Sequence, residues 1–74
     1  MRNQQSLPTI MSVLSQFNTD NVILIIDDGN IVRNYVRDSR VDNIPYDKQL
    51  SYYRMSVYYV TIDKTDYLKV ELYI

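Results

Sequence analysis

Two runs rich in β-branched and aromatic residues fill the last third of the chain, at residues 52–62 and 67–74. A short polar link, residues 63–66, separates them. Runs of this composition are typical of strands, and a short polar link between two of them predicts a long β-hairpin. In the second run every other residue is aliphatic, which predicts a strand with one buried face. Its buried residues are expected to be Leu68, Val70, Leu72 and Ile74.

The first of these runs is less regular than the second. In the first half of this run we expect the odd-numbered residues to face the core, because Arg54 and Ser56 among the even-numbered ones are poor core residues. The inward set is Tyr53, Met55, Val57 and Tyr59. Farther along the run, Val60 and Ile62 predict either a bulge or a second apolar surface near its far end.

The first half of the chain predicts a helix followed by another hairpin. Residues 1–5 are polar and expected to be flexible, and Ser6 is suited to cap a helix of about three turns. The apolar face of that helix has helical spacing and consists of Leu7, Ile10, Met11, Leu14 and Phe17. Residues 22–26 predict a buried strand, and residues 31–36 a return strand. The turn between them contains the only glycine, Gly29, which is suited to the positive φ that such turns require.

Pro45 lies in the segment between the two predicted hairpins and can begin a helical turn. A turn over residues 45–50 would bury Ile44, Tyr46 and Leu50 across one end of the sheet. The sequence therefore predicts a single α+β domain over residues 1–74. Its N-terminal helix packs on a four-stranded antiparallel sheet made of two β-hairpins, with a short helical turn between the hairpins.

One short helix can cover only one face of this sheet, so the other face is a candidate surface for a partner. Tyr and Arg are enriched at interface hot spots, and both are expected on this face. The candidate partner-binding residues are Arg33, Tyr35, Arg37, Tyr52, Arg54 and Tyr58, and the last strand adds Tyr67, Lys69, Glu71 and Tyr73. A second interpretation stays open, since cross-strand pairs of Tyr with Tyr or Arg stabilise small sheets without any ligand.

The composition argues against several functional classes. Cys and His are absent, which leaves no disulfide, no thiolate or imidazole metal ligand and no common catalytic base, so we expect no enzyme and no cofactor. Asp27 and Asp28 are better explained by a turn than by a cation site. A net charge of −1 disfavours nucleic acid, and no apolar run has the length of a membrane span. We expect a cytoplasmic protein.

Four pieces of the chain together resemble short uncharacterised proteins of phages, prophages and mobile elements of Gram-positive bacteria. They are the helical pattern of residues 7–17, the strand 22–28 with Gly29, the segment Asp42-Asn43-Ile44-Pro45-Tyr46, and the closing hairpin. The chain departs from that group by the inserted Asn43 and by its eight tyrosines. The group has no functional residues to transfer. The resemblance implies a protein that binds and disables a host or defence component.

The leading hypothesis is a non-enzymatic binding protein, encoded by a phage and acting in the host cytoplasm. It would inhibit a host or defence protein, such as an immune nuclease, in the manner of an anti-CRISPR, through the Tyr/Arg-rich sheet face. One alternative is a homo-oligomer that sequesters a nucleotide second messenger by stacking and charge pairing across a dimer interface. Another is a module whose tyrosine face serves only homo-oligomerisation.

Overall fold

The computed structural model describes residues 7–74, which form one helix and four strands. In chain order these are α1 (Ile10–Leu14), β1 (Val22–Asp27), β2 (Val32–Arg37), β3 (Arg54–Ile62) and β4 (Thr65–Tyr73). The α+β class and the four-stranded sheet are confirmed. The predicted flexible residues 1–5 and the predicted cap Ser6 lie outside the described residues. Within residues 7–74, no helix has both the length and the apolar character needed to cross a membrane.

The helix is much shorter than the sequence predicts. It begins after Thr9, whose side chain accepts a hydrogen bond from the N–H of Ser12, while the Ser12 hydroxyl accepts one from the N–H of Thr9. This capping box fixes the start, and Ser15 caps the end after only five helical residues. The predicted apolar face is therefore partly wrong. Ile10, Val13 and Leu14 are buried, whereas Leu7 and Met11 are exposed.

The sheet is mixed, which corrects the prediction of a purely antiparallel one. Its strand order is β2-β1-β4-β3, with both hairpins antiparallel and the two central strands, β1 and β4, parallel to each other. Both hairpins were predicted, but a hairpin can present either of its strands to its neighbour. The strand that became central, β4, is the more regularly apolar one. This arrangement places the two most apolar strands side by side, where both can be buried.

The strand register defines two faces of the sheet. On the core face, Val22, Leu24 and Ile26 of β1 lie beside Leu68, Val70 and Leu72 of β4, and all six are buried. Helix α1 and the segment 44–50 complete this core with Ile10, Val13, Leu14, Ile44 and Leu50. Tyr53 and Met55 pack against it, as predicted, whereas Val57 and Tyr59, on the same face of the strand as Met55, are exposed.

The segment between the hairpins closes one end of the core. Ile44 and Leu50 are buried and Tyr46 is half-buried, as predicted, although the segment forms a single hydrogen-bonded turn rather than a helix. Two N–H groups at the start of α1, those of Ile10 and Met11, donate to the carbonyl oxygens of Lys48 (2.9 Å) and Tyr46 (3.1 Å). These N–H groups have no partner within a helix, so the segment both covers the core and caps α1.

Both hairpin turns have the backbone geometry of tight connections. Gly29 has a φ of 91°, and Asp28 Oδ1 accepts from the N–H groups of Asn30 and Ile31, each at 2.9 Å. In the second hairpin Asp63 and Lys64 have φ values of 50° and 66° and form a two-residue turn. The pairing of β3 with β4 then continues without interruption from Ile62–Thr65 to Arg54–Tyr73. The predicted bulge is therefore absent from this pair.

Candidate interaction surface

The sheet face opposite α1 is left uncovered by residues 7–74, and we call it the open face. The register gives it odd-numbered residues of β1 and β4 and even-numbered residues of β2 and β3. Its members are Ile23, Ile25, Asp27, Val32, Asn34, Val36, Arg54, Ser56, Tyr58, Val60, Ile62, Thr65, Tyr67, Lys69, Glu71 and Tyr73. None of these except Tyr67 is fully buried.

One half of the open face, on β1 and β2, is aliphatic. Ile23 and Ile25 stand on the central strand β1, and Val36 and Val32 lie directly opposite Ile23 and Asp27 on the edge strand. Val32 is 56% exposed, and the other three aliphatic side chains are half-buried. We call Ile23, Ile25, Val32 and Val36 the aliphatic half. Asn34, opposite Ile25, lies between the two valines on β2.

The other half, on β3 and β4, is a hydrogen-bonded network centred on Glu71. Tyr58 Oη donates to Glu71 Oε2 at 2.8 Å, and Tyr73 Oη donates to Glu71 Oε1 at 2.7 Å. The Arg54 guanidinium lies 5.4 Å from the centre of the Tyr73 ring, and the Lys69 ammonium 5.6 Å from that of Tyr58. Both distances suit cation–π contacts. We call Arg54, Tyr58, Lys69, Glu71 and Tyr73 the tyrosine half.

The network shifts the titration of its members in opposite directions. The hydrogen bonds from Tyr73 and Tyr58 stabilise the carboxylate and hold the pKa of Glu71 below its ordinary value. The hydrogen bond to Glu71, together with desolvation, raises the pKa of Tyr73 above its ordinary value. At neutral pH the carboxylate is therefore ionised and the phenol is protonated, which is the state that the two hydrogen bonds require.

The candidate residues predicted from the sequence do not form one surface. Arg54 and Tyr58 lie on the open face, and Tyr52 lies in a bend before β3 with 71% of its surface exposed. The alternation along β2 was predicted, but the choice of faces was wrong. The residues on the helix side are Arg33, Tyr35 and Arg37, which pair with Ile26, Leu24 and Val22.

The physical reason is that β2 is an edge strand with an amphipathic helix-side face. Tyr35 packs its ring against the core, and Arg33 lies at a small cleft beside Pro45 and Lys48. Arg37 Nε lies 3.5 Å from Asp42 Oδ2. Long amphipathic side chains can cover the edge of a core with their aliphatic stems while their polar ends reach water. In the sequence, Arg33, Tyr35 and Arg37 therefore resemble a solvent-facing set.

A polar cleft lies at the other end of the sheet, where the loop after β2 meets the turn of the second hairpin. It is lined by Arg37, Asp38, Arg40 and Tyr67, among others. Arg40 Nη2 donates to Asp38 Oδ2 at 3.1 Å, and Asp38 Oδ1 accepts from two backbone N–H groups. These N–H bonds hold the pKa of Asp38 below its ordinary value. Both arginines of the cleft are thus paired with aspartates of the same chain.

The described residues contain no group of three or more acidic side chains that could hold a metal ion. Asp27 and Asp28 instead accept hydrogen bonds from backbone N–H groups of their own turn, Asp27 Oδ1 from Gly29 at 2.9 Å. The pKa of Asp28 is lowered by the N–H groups of Ile31 and Asn30. The turn interpretation of this acidic pair accounts for its geometry.

The aliphatic half was missed by sequence reasoning, although one signal pointed to it. Residues 22–26 are apolar without interruption, so the strand they form must present apolar side chains on both faces. With a single helix available, one of those faces had to stay open. The prediction that Arg33, Tyr35 and Arg37 lie on the uncovered face implies that Val32 and Val36 face the core. For this reason the two valines were not considered as part of a surface.

Comparison of the chain with protein-family models, with curated proteins and with solved structures finds no match. The resemblance to short phage and mobile-element proteins therefore stays a prediction.

Proposed function

We propose that this chain is a non-enzymatic protein-binding module that docks another protein on its open face. The observation that supports the proposal is the uncovered aliphatic half beside a polar network whose hydrogen bonds are already satisfied. Apolar side chains next to Tyr, Arg and other polar groups are a combination found at protein interfaces. The aliphatic half would contribute Ile23, Ile25, Val32 and Val36 to this interface, and Val32 is the most exposed of them.

The size of the open face suits a partner that is itself folded. Strand lengths and spacings give it roughly 20 Å by 20 Å, or about 400 Å². That area is about half of what each partner contributes to a standard interface. A docked partner would therefore also contact side chains at the rim, including Ile62, which is 47% exposed.

The tyrosine half would add specificity more than affinity. Its hydroxyl and carboxylate groups already bond to each other, so a partner gains mainly the ring surfaces of Tyr58 and Tyr73 and the guanidinium of Arg54. The fixed network presents these groups in one arrangement, which lowers the entropy lost on binding. The resemblance to phage proteins extends the proposal to inhibition of a host or defence protein.

Affinity capture from a lysate of the source organism tests the proposal. The immobilised wild-type chain is expected to retain a protein that Val32→Lys on the open face loses. Val41→Lys is the matched control, because Val41 is also an exposed valine (46%) but lies outside the sheet. Tyr58→Ala should weaken capture less than Val32→Lys. Equal capture by Val32→Lys and Val41→Lys, with both variants folded by circular dichroism, would exclude the open face.

A further inference from the structure

The two edge strands of the sheet are protected to different degrees. The outward N–H of Val36 in β2 donates to Asn43 Oδ1 at 2.9 Å, and the outward carbonyl of Val36 accepts from the N–H of Asn43 at 3.3 Å. β2 is also short and carries Arg33 and Arg37. Edge charges, short length and a covering loop are the devices by which proteins prevent edge-to-edge pairing.

β3 has none of these devices. It is nine residues long, lacks Pro and Gly, and its one charged residue is Arg54 at its start. It contributes Val57, Tyr58, Tyr59 and Ile62 to the exposed large apolar side chains of residues 7–74, with Tyr59 at 73% exposure. A long edge strand without charges along its centre is a template for another strand.

The hydrogen-bond pattern identifies the free backbone groups of β3. The N–H of Leu68 in β4 donates to the carbonyl of Asn21 at 2.9 Å. The backbone N–H and C=O groups of the even-numbered residues of β4 therefore point toward β1. The backbone groups of its odd-numbered residues point toward β3, where Lys69 lies opposite Tyr58. The even-numbered residues of β3 use their backbone groups for this pairing, and the odd-numbered ones direct theirs outward. The outward residues are Met55, Val57, Tyr59 and Thr61, and within residues 7–74 no further hydrogen bond reaches their backbone groups.

We propose that β3 is a self-association edge, at which β3 of a second copy of this chain adds in antiparallel orientation with Tyr58 opposite Tyr58. This register pairs the outward backbone groups of Val57 with those of the second copy's Tyr59, and those of Met55 with Thr61. It supplies about eight backbone hydrogen bonds. Because each copy has four strands, the dimer contains one continuous eight-stranded sheet.

Side chains and charges favour a second copy as the occupant. Val57 opposite Tyr59 is a pair of β-branched and aromatic residues, a combination that stabilises antiparallel sheets, and the two-fold axis forms it twice. Arg54 begins β3 and Asp63 follows its end. Antiparallel pairing brings each Arg54 to the end that carries the other copy's Asp63, whereas parallel pairing would place the two arginines together. The edge is thus complementary to itself.

This proposal is independent of the open-face function, because the strands pair edge to edge and the open faces of both copies stay accessible. Sedimentation velocity over a concentration series is expected to show a reversible dimer. Val57→Lys should raise its dissociation constant by about tenfold or more, since each dimer carries the change twice. Val32→Lys on the edge strand β2 is the matched control and should leave the dimer intact. A wild-type chain that stays monomeric up to near-millimolar concentration would overturn the proposal, as would equal dimerisation by both variants.

Disulfide trapping tests the register, since the chain has no cysteine of its own. With Tyr58 opposite Tyr58, the two thiols of Tyr58→Cys come from Cβ atoms about 5 Å apart, and mild oxidation should link the copies. Ser56→Cys is the control, because its two thiols are offset by about 13 Å along the strands. Linkage of Ser56→Cys in preference to Tyr58→Cys would overturn the register. Monomeric chains that instead bind an extended peptide from another protein would overturn self-association.

Discussion

The two halves of the open face differ in how many of their side chains already have a partner within the chain. In the tyrosine half, Glu71 accepts from both Tyr58 and Tyr73, and each ring lies near a cation. In the aliphatic half, Val32 is exposed and Ile23, Ile25 and Val36 are half-buried, with no polar group to engage. The tyrosines attract attention in the sequence, but their polar groups are already paired. The aliphatic half therefore has more to gain from binding a partner.

Residue type alone therefore does not identify an interface. Tyr and Arg are frequent at hot spots because they offer large contact area with a polar end. Here that polar end is engaged within the sheet, so part of their value is structural. Apolar side chains have no such internal alternative, and burying them from water is favourable at about 25 cal/mol per Å².

The largest expected effect comes from comparing neighbours in β1 that face opposite sides. Leu24 is fully buried, and Leu24→Ala should lower the free energy of unfolding by about 2–5 kcal/mol. Ile25 lies on the open face, and Ile25→Ala should cost only about 1 kcal/mol. Urea denaturation of both variants measures the contrast. Equal losses would mean that the aliphatic half is covered.

The next effect concerns the centre of the tyrosine half. Glu71→Ala removes the acceptor of both tyrosine hydroxyls, so it should lower the melting temperature, but less than Leu24→Ala does. Tyr58→Phe removes only one of the two bonds and should have the smaller effect of the two. A double Tyr58→Phe, Tyr73→Phe variant controls for the carboxylate itself. If Glu71→Ala melts like the wild type, the network does not stabilise the sheet.

The pH dependence of stability should report the same network. The pKa of Glu71 is lower in the folded chain than its ordinary value of 4.5, so the folded state favours the carboxylate. Its contribution to stability is complete above pH 4.5 and is lost as the pH falls through the lower folded pKa. Melting curves of wild type and Glu71→Gln should therefore differ at neutral pH and converge in acid. A difference that stays constant into acid would contradict the assignment.

The smallest expected effect on stability is at Val32. Val32→Thr changes an exposed side chain to one of similar shape, and the free energy of unfolding should change by no more than about 0.5 kcal/mol. Capture of the open-face partner should nevertheless weaken, because a hydroxyl replaces a methyl group in the aliphatic half. Parallel measurements of stability and capture separate the two. Loss of stability without loss of capture would show that Val32 contributes to the fold and not to binding.

Much of the fold could be predicted because local patterns determine it. The burial of Leu68, Val70 and Leu72 and the turn at Gly29 both appear as predicted, whereas Ile74, also predicted to be buried, is exposed. The order of strands could not be predicted, since it depends on which strand of the second hairpin gives the better contact with β1. That choice is a property of packing between distant segments.

The candidate surface was predicted only in part, for a related reason. Arg54 and Tyr58 lie on the open face, but Arg33, Tyr35 and Arg37 do not. Alternation along β2 shows which residues share a face, and both of its faces carry apolar and polar groups. Only the pairing of Tyr35 with Leu24 shows which of them is turned toward the helix.

The parallel pairing of β1 with β4 also has a consequence for how the chain folds. The central pair joins residues 22–27 to residues 68–73, so the contacts that build the core are separated by more than half of the sequence. Topologies dominated by such distant contacts fold slowly for their size. During synthesis, β1 and β2 emerge first with their core neighbour still missing. The contacts between β1 and β4 can therefore form only after β4 has left the ribosome.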